Sequence, residues 1–328
     1  MRRIKNTRKK GKRSIKRKYR KQKGGQSPNY SDYTICFTNL YQNGDIYISS
    51  QFIIDIKNKL KNDIKYYINF SGNNKINPEN FEYLNIPLLD ITTNNQYNTD
   101  KFIVINNDTK EIIVNTWVGV FNNFVGEHDV YLPFYYNQFK EIYNLLNIQI
   151  ENIEFYIPSF NQALFIKYNN NLQIIKNIYD KIPKKKILIC NGHNHSYNNG
   201  FDPRIIKLCI DNNYFVKVTN ESSIGDPNIL EIYKKNLEEF SSVSDDYTNI
   251  MNKDNLLYIN NIFASQSHII IGLASGLFIT TYSKETLDKK FIMISSHTHI
   301  VYEKFNSTWI TNGNTDALIN EIGNIIKS

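Results

Sequence analysis

The chain has 328 residues, 41% of them hydrophobic and 13% aromatic, which is enough apolar material for two ordinary domains. Its longest apolar runs, such as the one from His268 to Phe278, stop short of the roughly 20 residues that span a bilayer, so a transmembrane helix is not expected. The net charge of +8 is unevenly placed: residues 1–23 hold 14 of the 39 Lys and Arg and no acidic residue, leaving 25 basic against 31 acidic residues elsewhere. The folded part is therefore expected to be mildly acidic, and attraction to nucleic acid or an anionic surface belongs to residues 2–23.

Residues 1–31 read as a disordered basic tail, because like charges and scarce apolar residues oppose collapse. Gly24-Gly25 marks a break after the basic run. The tail is open to four readings: a tether to nucleic acid or a membrane surface, a localisation signal, a segment cleaved after Gly25, or solvated chain without a dedicated partner. No apolar stretch follows the first basic residues, so secretion is not expected. Cys36, Cys190 and Cys209 have no metal-like spacing and make no even framework, which fits a reducing, cytoplasmic setting. Asn, Ile, Lys and Tyr, all encoded by A/T-rich codons, dominate the composition, so Asn-rich loops carry little functional weight.

From Thr34 to Thr38 a β-prone run leads through a polar turn, Asn39 to Asp45, into an amphipathic helix. There Ile46, Phe52, Ile53, Ile56 and Leu60 recur at helical spacing. Tyr66 to Phe70 closes a βαβ unit. Phe102 to Ile105 and Ile112 to Val114 predict a hairpin or two short strands, and Pro133 to Leu146 a helix. The second half opens with a helix over Leu172 to Asp180. Next come a strand Ile187 to Cys190, a helix Pro203 to Asn212 with Asp202 as N-cap, a strand Tyr214 to Thr219 and a helix Asn228 to Phe240. A strand Leu256 to Ile259, a short helix through Phe263, a strand His268 to Ile271, a helix from Gly276, a strand Phe291 to Ile294 and a terminal helix Thr315 to Ile326 follow. Alternation of this kind predicts an α/β fold of two Rossmann-like domains facing a central cleft. The expected division is 1–31 tail, 32–170 N-terminal Rossmann-like domain and 171–328 C-terminal Rossmann-like domain.

Ligands of such sheets sit outside the carboxyl ends of the strands. In the first half that loop is Asn39-Leu40-Tyr41-Gln42-Asn43-Gly44-Asp45. Asp45, at a helix start, either caps free N–H groups or presents a carboxylate to the cleft. In the second half, Ile271-Gly272-Leu273-Ala274-Ser275-Gly276 feeds a strand through a Ser-Gly turn into a helix, which would aim N–H groups and the Ser275 hydroxyl at an anion or ribose, or simply shape the chain. Asn191, Gly192 and His193 follow the first strand of that half and would add donors, with Arg204 just beyond, or only decorate a loop. His193-Asn194-His195 and His297-Thr298-His299 form two His-x-His pairs without an acidic cluster, and no metal is expected there. Trp117, Trp309 and the tyrosines from Tyr131 to Tyr136 either stack on a ligand ring or fill the core, and Glu127-His128-Asp129 either faces the cleft or belongs to a surface loop.

Asn43-Gly44-Asp45-Ile46 together with Ile270-Ile271-Gly272-Leu273-Ala274-Ser275-Gly276 resembles the heptosyltransferase family of GT-B glycosyltransferases. That family has Gly-Asp at the start of its first helix and an Asp-Ser/Thr-Gly-Pro-x-His turn in its donor-binding half. The resemblance implies a nucleotide-sugar donor, a hydroxyl acceptor on a glycan or protein, no cofactor and no metal. It casts Asp45 as the base that deprotonates the acceptor, Asn43 and Gly44 as acceptor-side residues, and Asn191, Gly192, His193, Ser275 and Gly276 as donor-side residues. Here the family's Asp, Pro and His are Ala274, Leu277 and Ile279. These losses leave room for a catalytically silent nucleotide- or glycan-binding relative, or for a structural protein whose tail binds nucleic acid. The basic tail and A/T-rich composition are similar in style to proteins of giant DNA viruses, which would put the chain in the host cytoplasm or the virion.

Overall fold

The structure, a computed structural model, describes residues 29–71, 76–120, 131–159, 169–192, 201–252, 257–273, 275–295, 301–311 and 315–327. Nearly all of the basic tail lies outside them. The first sheet contains β1 (Thr34–Asn39), β2 (Ile64–Ile68), β3 (Leu88–Asp90), β4 (Ile103–Asn106) and β5 (Glu111–Asn115), in the order β3-β2-β1-β5-β4. β1 runs parallel to β2 and β5, β2 is parallel to β3, and β4 is an antiparallel edge that closes the expected hairpin with β5. The second sheet contains β6 (Lys186–Cys190), β7 (Phe215–Val218), β8 (Ile269–Leu273), β9 (Lys290–Ser295) and β10 (Asn306–Thr311), all parallel, in the order β10-β9-β8-β6-β7.

The central strands are buried on both faces, as parallel sheets between helices must be. Ile35 and Phe37 of β1 enter the main core, while Cys36 turns to a smaller cluster with Tyr67, Ile91, Tyr97 and Ile113, the alternation a strand imposes. Helices α1 (Asn43–Lys59) and α2 (Tyr131–Leu145) belong to the first half. In the second are α3 (Asn169–Lys181), α4 (Arg204–Asp211), α5 (Pro227–Glu238), α6 (Tyr247–Met251), α7 (Leu257–Gln266), α8 (Gly276–Ile279) and α9 (Thr315–Lys327). The two Rossmann-like halves face one another, and α1 lies between them, packed on α2 from its own half and on α8 from the other. All three cysteines are free and buried.

Four expectations are corrected. The helix after β1 starts at Asn43, so Asn43, Gly44 and Asp45 form its first turn and not a loop. It is not amphipathic either: Ser49, Ser50 and Gln51 are as buried as Ile48 and Phe52, because both faces of α1 are covered. Its serines bond back to the helix, Ser49 Oγ to the Ile46 carbonyl at 3.1 Å and Ser50 Oγ to that of Tyr47 at 2.5 Å, which is how a hydroxyl enters a core without an orphaned group. Leu257 to Ile259, read as strand, opens α7: a short buried apolar run has no periodicity to separate the two states. In α4 the N-cap position falls to Pro203, while Asp202 Oδ1 accepts the Arg204 N–H at 2.9 Å.

Candidate functional site

β1 and β5 are parallel neighbours, and each is finished by asparagine. Asn39 Oδ1 accepts the backbone N–H groups of Tyr41 and Gln42, both at 3.0 Å, and Asn115 Oδ1 accepts that of Trp117 at 2.9 Å. The same Asx turn thus shapes both loops at the C-terminal edge of the sheet. The edge is tied further by Asn39 Nδ2, which donates to Thr116 Oγ1 at 3.1 Å, and by the Tyr66 hydroxyl, 2.6 Å from the same oxygen.

Asp45 sits over this edge. Its carboxylate is 1% exposed, accepts the Val118 N–H at 3.3 Å and is hydrogen-bonded with the Tyr135 hydroxyl. Tyr135 also donates to the Thr116 carbonyl at 2.8 Å, so its one proton serves two acceptors while Asp45 is ionised. Among the described residues no basic side chain balances the charge. Burial therefore dominates the two hydrogen bonds and pushes the Asp45 carboxyl up to about 7. Asp45 performs neither of the expected tasks in simple form: it makes no cap bond to its own helix, and its carboxylate turns toward Val118 and Tyr135.

The start of α1 meets the start of α8 from the other half. A Cβ on Gly44 would stand 3.3 Å from Gly276 Cα, and one on Gly276 would stand 3.3 Å from Gly44 N, so both glycines are needed for two backbones to touch. Asn43 Cβ lies beside the same point, and Asn43 Oδ1 is buried without a partner among the described residues. The halves are also joined by the Tyr47 hydroxyl, which donates to the Tyr282 carbonyl at 3.0 Å, and by the Leu132 N–H, which donates to the Val301 carbonyl at 2.9 Å.

On the second half, Ser275 is the N-cap of α8, its Oγ accepting the Phe278 N–H at 3.3 Å, which leaves the hydroxyl proton free to donate. Asn191 bridges two strand ends, accepting the Asn220 N–H at 2.9 Å and donating to its carbonyl at 2.7 Å. A Cβ on Gly192 would meet Leu277 Cδ1 at 2.6 Å, so this glycine makes room for Leu277. Arg204 is engaged elsewhere, on Asp202 and Asp316 at 2.9 Å each. The structure thus brings together Asn43, Gly44, Ser275 and Gly276 at the seam, with Asp45 immediately behind it. His193, His195, His297, His299, Ala274 and the Glu127-His128-Asp129 cluster lie outside the described residues. Sequence reading held Asn39 in the loop and Tyr135 among the tyrosines of 131–136 without linking either to Asp45, and it missed Thr116 and Tyr66, which carry no local pattern that points to a carboxylate.

No protein-family profile and no curated protein sequence matches the chain. Solved structures do. The E. coli heptosyltransferase WaaC with ADP is similar with a TM-score of 0.51 at 10% identity, over 90% of this chain and 99% of that one. The glycosyl transferase family 9 structure from Veillonella parvula gives 0.45 at 12% identity, over 92% and 93% of the two chains. E. coli ADP-heptose lps heptosyltransferase II gives 0.41 at 10% identity, over 90% and 98%. At 10% identity the WaaC likeness establishes the heptosyltransferase-type fold of this chain and nothing finer. No helix among the described residues is long and apolar enough to cross a membrane.

Proposed function

We propose that the protein is a glycosyltransferase that moves a sugar from a nucleotide-sugar donor to a hydroxyl acceptor, with residues 32–170 on the acceptor side and 171–328 on the donor side. The observation that carries this reading is Asp45: a buried carboxyl without a counter-charge among the described residues, pushed up to about 7, over the C-terminal edge of a parallel sheet. A group held near the working pH is suited to take a proton and release it again. As the acceptor oxygen attacks the sugar, its proton passes to Asp45 and the nucleoside diphosphate leaves. In this reading the N–H groups at the starts of α1 and α8 and the Ser275 hydroxyl stabilise the leaving diphosphate without a metal, and Asn191, Gly192, His193 and Gly276 are donor-side residues. Asn43 Oδ1, unpartnered at the seam, accepts a sugar hydroxyl. Because Asp45 is 1% exposed, substrates reach it only when the halves part at Gly44 and Gly276.

The ADP of the WaaC structure makes adenine nucleotides the first donors to try. Full-length protein is incubated with a panel of nucleotide-sugars, and released nucleoside diphosphate and the shift in melting temperature are read together. Turnover with one donor class supports the reading. A thermal shift without turnover supports a silent binding relative, the second reading favoured by Ala274, Leu277 and Ile279 in place of the polar and turn-forming family residues. Neither signal with any donor would return the folded part to a structural role.

A further inference from the structure

Tyr41, in the loop between β1 and α1, is 41% exposed, and its ring lies 4.6 Å from that of Trp117 at a tilt of 52°. Each aromatic stands two residues beyond the asparagine that ends its strand and bonds its backbone N–H. Trp117 is pinned a second time: its ring occupies the space that a Cβ on Gly119 would need, at 2.4 Å from Cζ2. An aromatic surface fixed in this way binds a flat apolar face without first being ordered. Of the other exposed large apolar side chains among the described residues, Phe155 packs edge-on against Tyr156 and lies under the Lys284 ammonium, and Ile105 sits on the β4 edge. Only the Tyr41–Trp117 pair adjoins the site, since Val118, next in the chain after Trp117, is the residue whose N–H holds the Asp45 carboxylate.

We propose that Tyr41 and Trp117 form a stacking platform for a pyranose ring of the acceptor, which makes the acceptor a glycan. This rests on the reading of Asp45 as the base. The C–H groups on one face of a pyranose carry partial positive charge and meet the electron-rich face of an aromatic ring, while its hydroxyls stay at the rim. Trp117 directly precedes Val118, whose N–H the Asp45 carboxylate accepts, so a sugar held on the pair offers a hydroxyl to Asp45 once the halves part. Among the described residues no Lys or Arg lies over either ring, so a charged nucleotide finds no counter-ion on the pair, and a neutral sugar needs none.

Trp117 and Trp309 are the two tryptophans of the chain, and the Trp309 indole N–H has no partner among the described residues, so Trp309→Phe isolates Trp117 as an emitter without losing a hydrogen bond. Full-length Trp309→Phe is titrated with methyl pyranosides and disaccharides of glucose, galactose, mannose and N-acetylglucosamine, and separately with AMP and UMP. A saturable change of Trp117 emission with a saccharide is expected, weakened about tenfold or more by Tyr41→Ala and retained by Tyr41→Phe, because the ring stacks and the hydroxyl does not. A thermal melt of each variant confirms that it is folded. Absence of any saccharide response, a response indifferent to Tyr41→Ala, or a response to nucleotides alone overturns the platform. Donor turnover of unsubstituted protein is scored apart: turnover without a saccharide response sinks the platform and leaves the transferase, and a saccharide response without turnover does the reverse.

Discussion

Helix α1 carries two buried carboxylates ten residues apart, and the molecule treats them oppositely. Asp55, near the C-terminal end, is 6% exposed and fully engaged: the Lys59 ammonium lies 2.9 Å away, and the hydroxyls of Tyr143 and Tyr156 donate at 2.7 and 3.0 Å. Asp45, at the other end and 1% exposed, has one backbone N–H and a share of one hydroxyl. Burial is the same and the partners are not. A charge that only holds the fold together is matched with cations and donors, whereas the proposed base needs a carboxyl kept near neutrality, as Asp45 is.

The comparison breaks most visibly in activity. Asp45→Asn is expected to lower transfer by about 10²–10⁴-fold, the usual contribution of a general base. It should do so while folding normally, since an amide oxygen still accepts from Val118 and its NH₂ donates to Tyr135. A steady-state assay showing near wild-type rates would remove Asp45 from the chemistry. At the opposite end, Asp55→Ala takes the charged acceptor from two tyrosine hydroxyls, leaving them each other and the Phe52 carbonyl, and removes half of the Lys59 pairing, so urea unfolding should show a loss of about 3 kcal/mol. Lys59 keeps Glu151 at 2.8 Å, and transfer per folded molecule should be unchanged.

Tyr135→Phe sharpens the contrast. Removing a hydrogen bond that favours the charged form pushes Asp45 higher still, so the acidic limb of the pH–rate profile should move to higher pH by about one unit. An unmoved limb would mean that another group sets it. Smallest is Ser275→Ala, which should cost about 1 kcal/mol for the lost cap of α8 and raise the donor KM several-fold without changing kcat. Loss of stability with an unchanged donor KM would leave Ser275 as a cap only.

Much of the fold was legible because its elements are local. β1, the α1 register, the β4–β5 hairpin and the β6–α4–β7–α5 series all follow from short apolar runs broken by Gly, Pro and Asn. β3, of three residues, and β10, whose Asn306-Ser307-Thr308 opening is polar, were not legible, because edge strands carry little apolar signal. The site divides the same way. Gly44-Asp45 at a helix start is a local pattern. The groups that set its chemistry, Val118 and Tyr135, lie 73 and 90 residues further on, and one tyrosine among 23 gives no sign of which carboxylate it will meet.

The central claim is that Asp45 pays for its position in stability and is poised near neutral pH. A carboxyl raised in the folded state, from about 3.8 to about 7, binds its proton more tightly folded than unfolded, so stability falls as pH rises through that window and levels off above it. Thermal melts of the wild type and Asp45→Asn from pH 4 to pH 9 measure this directly. The variant should match the wild type near pH 4, gain on it steadily to about pH 7, and hold above that a lead on the order of 4 kcal/mol at most. Parallel curves across the range, or a variant less stable than the wild type at pH 8, would contradict the account and make Asp45 a structural carboxylate like Asp55.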